Sequence, residues 1–267
     1  MKKEDIMEET LEINHGNRSS KLMLEHEIPG AAVYHHVMME GDSVTFMADG
    51  TYIRVLFLCS GSVDFVVDGE VWSYSEKSFI ALKPEQSIKV LVKKHSNLLE
   101  IRWDMNTEDK AEIGSGCTVY PVTGRYEDAL QYRDPFKSEK TISRALLPQR
   151  TIPRFAMGSV ETYGDDLIGQ HAHPLLDQFF FSFPENDMDL LIDDIVYPMK
   201  GNSLVHIPLG SDHGVSVKGK QTAHYIWIDF IQDPEKAKVL FEKNEQEAKD
   251  RYTYLNKLVK LYGAEEE

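Results

Sequence analysis

Cysteine is scarce: Cys59 and Cys117 are the two in a chain of 267 residues. A disulfide framework is therefore excluded, and so is a zinc site built from several thiolates. Positive charge is also short. The 29 Lys and Arg face 44 Asp and Glu, a formal net charge of −15. A phosphate backbone needs a basic face, so this balance argues against a nucleic-acid partner. Long apolar runs are missing too. None approaches the roughly 18 residues of a membrane-spanning helix, and the opening MKKEDIMEETLE is charged, without a signal-type apolar core. The expectation is a cytoplasmic protein with no membrane partner.

What is present, between about Gly30 and Asp229, is a series of short β-type runs. SVDFVVDGEVWSY (62–74), NLLEIRW (97–103), DMDLLIDDIVYPM (187–199) and AHYIWIDF (223–230) alternate with period two and are broken by Gly, Asn, Asp and Pro turns. Such spacing reads as an all-β sandwich or barrel. The two halves are alike. EGDSVTF (40–46) parallels YGDDLIG (163–169), and EIRWDM (100–105) parallels YIWIDF (225–230). Phe57 and Pro84 are 27 positions apart, as are Phe181 and Pro208. A repeat of about 124 residues is a whole small domain rather than a solenoid unit. The sequence thus divides into an acidic extension (1–29), a barrel (30–106), a linker (107–149) with RYEDALQYRDPF as a candidate helix, a second barrel (150–231) and a tail (232–267). In the tail Val239, Leu240, Ala248, Tyr252, Leu255, Val259 and Tyr262 recur at helical spacing, which predicts a C-terminal amphipathic helix.

The stretch GQHAHPLLDQFFF (169–181) carries the most chemistry. On a strand, His171 and His173 point to one face, roughly 7 Å apart along it. Two imidazoles so placed can share one divalent ion. Further on, GNSLVHIPLGSDHGV (201–215) is a strand followed by a Pro-x-Gly-x-x-His turn.

These two segments, in this order, resemble the two motifs of the cupin superfamily. Gly201, Pro208, Gly210 and His213 match the second, and His171 and His173 match the first. Because the resemblance extends over both repeats, it implies a bicupin: two tandem double-stranded β-helix (jelly-roll) barrels, with one divalent transition metal in the C-terminal one. Iron, manganese, zinc and nickel all suit such a site. The family's remaining ligand is usually Glu, and here the chain departs. Four residues separate Gln178 from the H-x-H pair, and three separate Asp177 from it. Gln178 is favoured, because it lies seven residues before Glu185 as Arg54 lies seven before Gly61. The alternative is that Gln178 only hydrogen-bonds a ligand histidine. The implied set is His171, His173, Gln178 and His213, all neutral, which leaves the ion its full charge.

In the N-terminal repeat the matching positions fall near Met47, Asp49, Arg54 and Lys89, so no metal is expected there. Arg54 there either holds a carboxylate ligand or makes a salt bridge inside the barrel. His206, His224 and Tyr163 are candidate acid–base groups near the motifs, and Phe180 and Glu161 are candidate substrate contacts. The implied function is a metal-dependent enzyme working on a small polar molecule (a carbonyl compound, hydroxy acid or sugar) by isomerase or lyase chemistry. An iron-dependent dioxygenase on an apolar or aromatic substrate is the alternative, and a non-catalytic small-molecule binder is a third. Open sheet edges and the C-terminal helix favour a homodimer.

Overall fold

A computed structural model describes residues 5–13, 16–134, 137–173, 175–233, 235–236 and 239. The strands begin with β1 (Glu8–Thr10), β2 (Ser19–Met23), β3 (Ala31–Met38), β4 (Ser43–Phe46) and β5 (Tyr52–Val67). Next come β6 (Glu70–Ser75), β7 (Ser78–Leu82), β8 (Ile88–Asp104), helix α1 (Thr107–Ser115), β9 (Val122–Arg125) and β10 (Leu130–Tyr132). The second half holds β11 (Ile142–Ile152), β12 (Phe155–Tyr163), β13 (Asp166–Ala172), β14 (Asp177–Ser182) and β15 (Asp187–Ile192). It ends with β16 (Ile195–Lys200), β17 (Ser203–Ile207), β18 (Asp212–Val217) and β19 (Thr222–Phe230).

The strands form two antiparallel sheets. One has eight strands, β2 to β9; the other has eleven, β10 to β19 with β1 added at its edge. Each folds round its own apolar interior. Leu56, Leu58, Phe65, Ile80, Leu82, Val90 and Leu98 fill the first, and Val160, Phe180, Met188, Leu190, Val205, Val215 and Tyr225 fill the second. This is an all-β, two-barrel jelly-roll architecture.

Alternation along the central strands explains the phenylalanine run. Phe180 enters the second barrel, while Phe179, Phe181 and Phe183 point out of it into a third core shared by both barrels. There Phe57 meets Phe181 and Phe183 at ring separations of 6.4 and 6.1 Å, and Trp103 packs on Phe230 at 5.1 Å. Arg154 closes one side of this interface through the Asp109 carboxylate (2.6 Å) and the Asp104 carbonyl (2.9 Å).

The barrels exchange chain. The segment read as an acidic extension supplies β1 to the C-terminal sheet, where it pairs with β17, and β2 to the N-terminal sheet. The segment read as a linker holds α1, started by an Asn106 capping box, then β9 on the N-terminal sheet and β10 on the C-terminal one. RYEDALQYRDPF is accordingly not helical: its described residues form the end of β9, a turn and β10. Strand pairing outweighs a local pattern too short to hold a helix. The expected C-terminal amphipathic helix lies outside the described residues, apart from helical positions at 235, 236 and 239. No helix among the described residues is long and apolar enough to cross a membrane.

Candidate metal centre

Three histidines, His171 on β13, His173 just past its end and His213 on the neighbouring β18, meet at the C-terminal barrel. On β13 a bulge between Ile168 and His171 brings His171 directly opposite His213 of β18. Gly214 permits this approach, since a Cβ there would stand 2.6 Å from the Ile168 carbonyl oxygen. Gly210 takes φ +79 in the turn before β18, a left-handed conformation that suits glycine. The ring centroids of His171, His173 and His213 are 4.7, 5.1 and 5.3 Å apart. One ligand nitrogen from each lies within 4.8 Å of the others, which modest ring rotations would gather round an ion at about 2.1 Å.

Hydrogen bonds orient two of the rings. His171 Nδ1 donates to the Gly169 carbonyl at 2.9 Å, and His213 Nδ1 to the Ser211 carbonyl at 3.2 Å. Since a carbonyl only accepts, each bond makes Nε2 the lone-pair nitrogen. Burial, with His213 and His171 beside it, pushes His173 down to about 3, and burial pushes His213 down to about 4. At neutral pH both are uncharged and need release no proton to bind a cation.

Gln178 faces the same interior as Phe180, two residues on. Its Nε2 donates to Asp229 Oδ1 at 2.7 Å, but its Oε1 is buried without a hydrogen-bond partner. An orphaned buried acceptor is costly, and a cation beside the triad would satisfy it. The residues present therefore fit a divalent ion. Asp177 faces the other way, its carboxylate 3.9 Å from His206 Nε2, so strand parity separates the two candidates.

Phe180 is also brought to the site, its ring 5.6 Å from His213 and stacked on Tyr225 at 4.6 Å. The remaining candidates are not. His206 lies on the outer face of β17, against Phe179 and bonded to Glu27 at 3.0 Å. His224 faces the inter-barrel core, where its Nε2 is 2.8 Å from the Tyr126 hydroxyl. Glu161 joins that network by accepting from Arg144 at 2.8 Å. Tyr163 is exposed at the end of β12.

Sequence reasoning missed Asp229 and Lys137. Asp229 is paired with Gln178 across β14 and β19, and burial pushes its carboxyl up to about 7. The only signal for it was its place two residues beyond Trp227 on a strand whose alternate residues line the barrel. Lys137, beside Asp134 (3.1 Å) and Ser143 (3.1 Å), is lowered from the usual lysine range by burial and lies near enough to sense both His173 and Asp229.

In the N-terminal barrel Met47, Asp49 and Lys89 are exposed. Arg54 is buried and ion-paired with Glu100 at 2.7 Å, the interior salt bridge that the sequence allowed. Among the described residues, the His171, His173, His213 group is the one cluster of three or more His, Cys, Asp or Glu disposed to hold a metal.

No family model and no curated protein matches the chain. Solved structures do. A glyoxylate-induced protein from Pseudomonas aeruginosa superposes with TM-score 0.67 at 11% identity, covering 81% of this chain and 82% of that one. Bacillus subtilis oxalate decarboxylase gives 0.62 at 11% identity over 85% and 77%. A cupin 2 conserved barrel domain protein from Leptotrichia buccalis gives 0.58 at 12% identity over 82% and 90%. At such identities the likeness is one of fold, and that fold is the cupin barrel.

Proposed function

We propose that the C-terminal barrel is the active site of a metal-dependent, redox-neutral enzyme, a lyase or isomerase, whose substrate is a small 2-oxo acid, hydroxy acid or related carbonyl compound. The observation that carries this reading is the all-neutral donor set: three clustered imidazoles, and the unsatisfied amide oxygen of Gln178 on the barrel-facing side of the strand that also carries Phe180. A divalent ion held by such donors keeps its charge and would polarise a carbonyl or carboxylate oxygen. Asp229 fixes the amide so that its oxygen, not its nitrogen, is offered. Phe180 and Tyr225 wall the site and keep water from its inner side. Two fold neighbours, one named for glyoxylate and one for oxalate, agree with a small carboxylate.

The apolar Phe180–Tyr225 wall favours a second reading, an iron-dependent dioxygenase acting on an apolar substrate. Elemental analysis of the purified protein, with His171→Ala and His213→Ala beside it, tests the site: both variants should stay folded and lose the metal. Equal metal content in all three would remove the assignment. Turnover of 2-oxo and hydroxy acids under nitrogen supports the lyase or isomerase. Iron-linked oxygen uptake that stops anaerobically selects the dioxygenase instead, and one tightly retained ligand without turnover selects a binding protein.

A further inference from the structure

At the position where the C-terminal barrel sets Gln178 against Asp229, the N-terminal barrel sets Arg54 directly against Arg102 across β5 and β8. Like charges opposed across a sheet repel, and a buried charge without a partner is costly. One acid answers both. Glu100, wholly buried, accepts from Arg54 Nε at 2.7 Å and from Arg102 Nε and Nη2 at 2.8 and 3.2 Å. Its Oε2 also stands 3.0 Å from His36 Nε2, which must donate, since a carboxylate only accepts. Arg54 Nη2 is taken by the Met47 carbonyl at 3.0 Å and the Tyr52 hydroxyl at 2.7 Å. Among the described residues, none accepts a hydrogen bond from the Nη1 group of either arginine. One positive charge is therefore in excess here, in a chain whose overall balance is −15.

The surroundings are built to hold that charge in place rather than disperse it. The Arg102 guanidinium sits 4.4 Å from the Tyr34 ring centre and 5.0 Å from that of Tyr52, with 30% of its side chain open to solvent. Arg54 lies deeper, between the rings of Tyr52 and Phe46 at 5.2 and 5.7 Å. Two Nη1 groups, and a tyrosine hydroxyl that accepts from Arg54 while keeping its own proton to give, form a donor set that no acceptor among the described residues matches.

We propose that this barrel mouth is a second binding site, for a small free carboxylate anion, held between Arg54 and Arg102 with the Tyr52 hydroxyl donating to it. Planar oxygens on a single carbon match two guanidinium edges, and the rings of Tyr34, Tyr52 and Phe46 flank those guanidinium groups. The site needs no metal and is independent of the chemistry proposed for the other barrel.

The test is calorimetric titration of the full-length protein with acetate, repeated on Arg102→Gln and His213→Ala. Arg102→Gln leaves the Arg54–Glu100 pair intact and should weaken one acetate-binding event at least tenfold, whereas His213→Ala should leave that event unchanged. If Arg102→Gln fails to fold by circular dichroism, Arg102→Lys keeps the charge without the fork and should still weaken it severalfold. Failure of acetate to bind the wild-type protein overturns the proposal, as does binding that survives the Arg102 substitution or vanishes in His213→Ala. Tighter binding of inorganic phosphate than of acetate at the same site overturns the carboxylate assignment.

Discussion

Acid titration should withdraw a definite share of the protein's stability through one residue of the N-terminal barrel. Burial alone would raise the Glu100 carboxyl, but hydrogen bonds from His36, Arg102 and Arg54 more than offset this and hold it at about 2, against an ordinary 4.5. At about 1.4 kcal/mol per pH unit, that difference corresponds to about 3 kcal/mol of folding stability. Because the folded-state value is the depressed one, the contribution is complete above about pH 4.5 and is lost as pH falls towards about 2. Glu100→Gln removes the charge at every pH and leaves Arg54 and Arg102 facing each other without a counterion, a loss of about 3–5 kcal/mol at pH 7. Urea denaturation of wild type and variant at pH 7, 4 and 3 measures both effects. The gap between the two proteins should be largest at pH 7 and should narrow steadily below pH 4.5. A gap that stays constant with pH, or one under about 1 kcal/mol, would show that the Glu100 cluster does not hold the barrel as described.

Three further perturbations probe the other elements. Asp229→Ala frees the Gln178 amide and should cost roughly 10–100-fold in metal affinity by chelator competition, with Asp229→Asn recovering most of it because its oxygen still accepts; unchanged affinity in Asp229→Ala would disconnect Gln178 from the site. Phe181→Ala empties the centre of the inter-barrel core and should cost about 3–5 kcal/mol in denaturant titration, a loss below about 1 kcal/mol counting against a shared core. Removing residues before Ile13 deletes β1 with the buried Ile6 and Leu11, at about 1.5–3 kcal/mol for each apolar side chain; a melting temperature equal to that of the full chain would contradict the exchange of strands.

The parts of the fold and site that the sequence made legible are those set by local periodicity. Alternation marked the strands, and His171 with His173 could be assigned to one face because a strand repeats every two residues. His213 was found through a turn whose Pro208 and Gly210 have backbone requirements of their own. The same parity rule places His224 and His206 away from the histidine triad: Tyr225 and Val205 turn into the barrel, so their neighbours turn out of it. Proximity to a motif along the chain had suggested otherwise. Cross-strand register was the larger obstacle. Matching EIRWDM to YIWIDF by residue similarity aligns Asp104 with Asp229, but the ladders oppose Arg102 to Arg54 and Asp229 to Gln178, a shift of two residues that hides the Asp229 contact. The pairing of β1 with β17 joins segments nearly two hundred residues apart, and no local pattern encodes such a contact.

That shift also clarifies how the two repeats have come to differ. Each barrel needs its mouth lined by polar groups, because the innermost ends of its strands are already filled by aliphatic and aromatic side chains. Polar groups in a half-buried wall must be satisfied by one another or by a ligand. In the C-terminal barrel the donors and acceptors do not cancel: the three imidazoles and the unpartnered Gln178 oxygen leave an excess of acceptors, which a cation would satisfy. In the N-terminal barrel His36 and two arginines converge on one carboxylate, leaving an excess of donors. At the two equivalent positions, Gln178 and Asp229 in one barrel and Arg54 and Arg102 in the other, the repeats thus carry opposite demands. The shared core of Phe57, Phe181, Trp103 and Phe230 ties the two mouths into one folded unit without requiring that they perform the same chemistry.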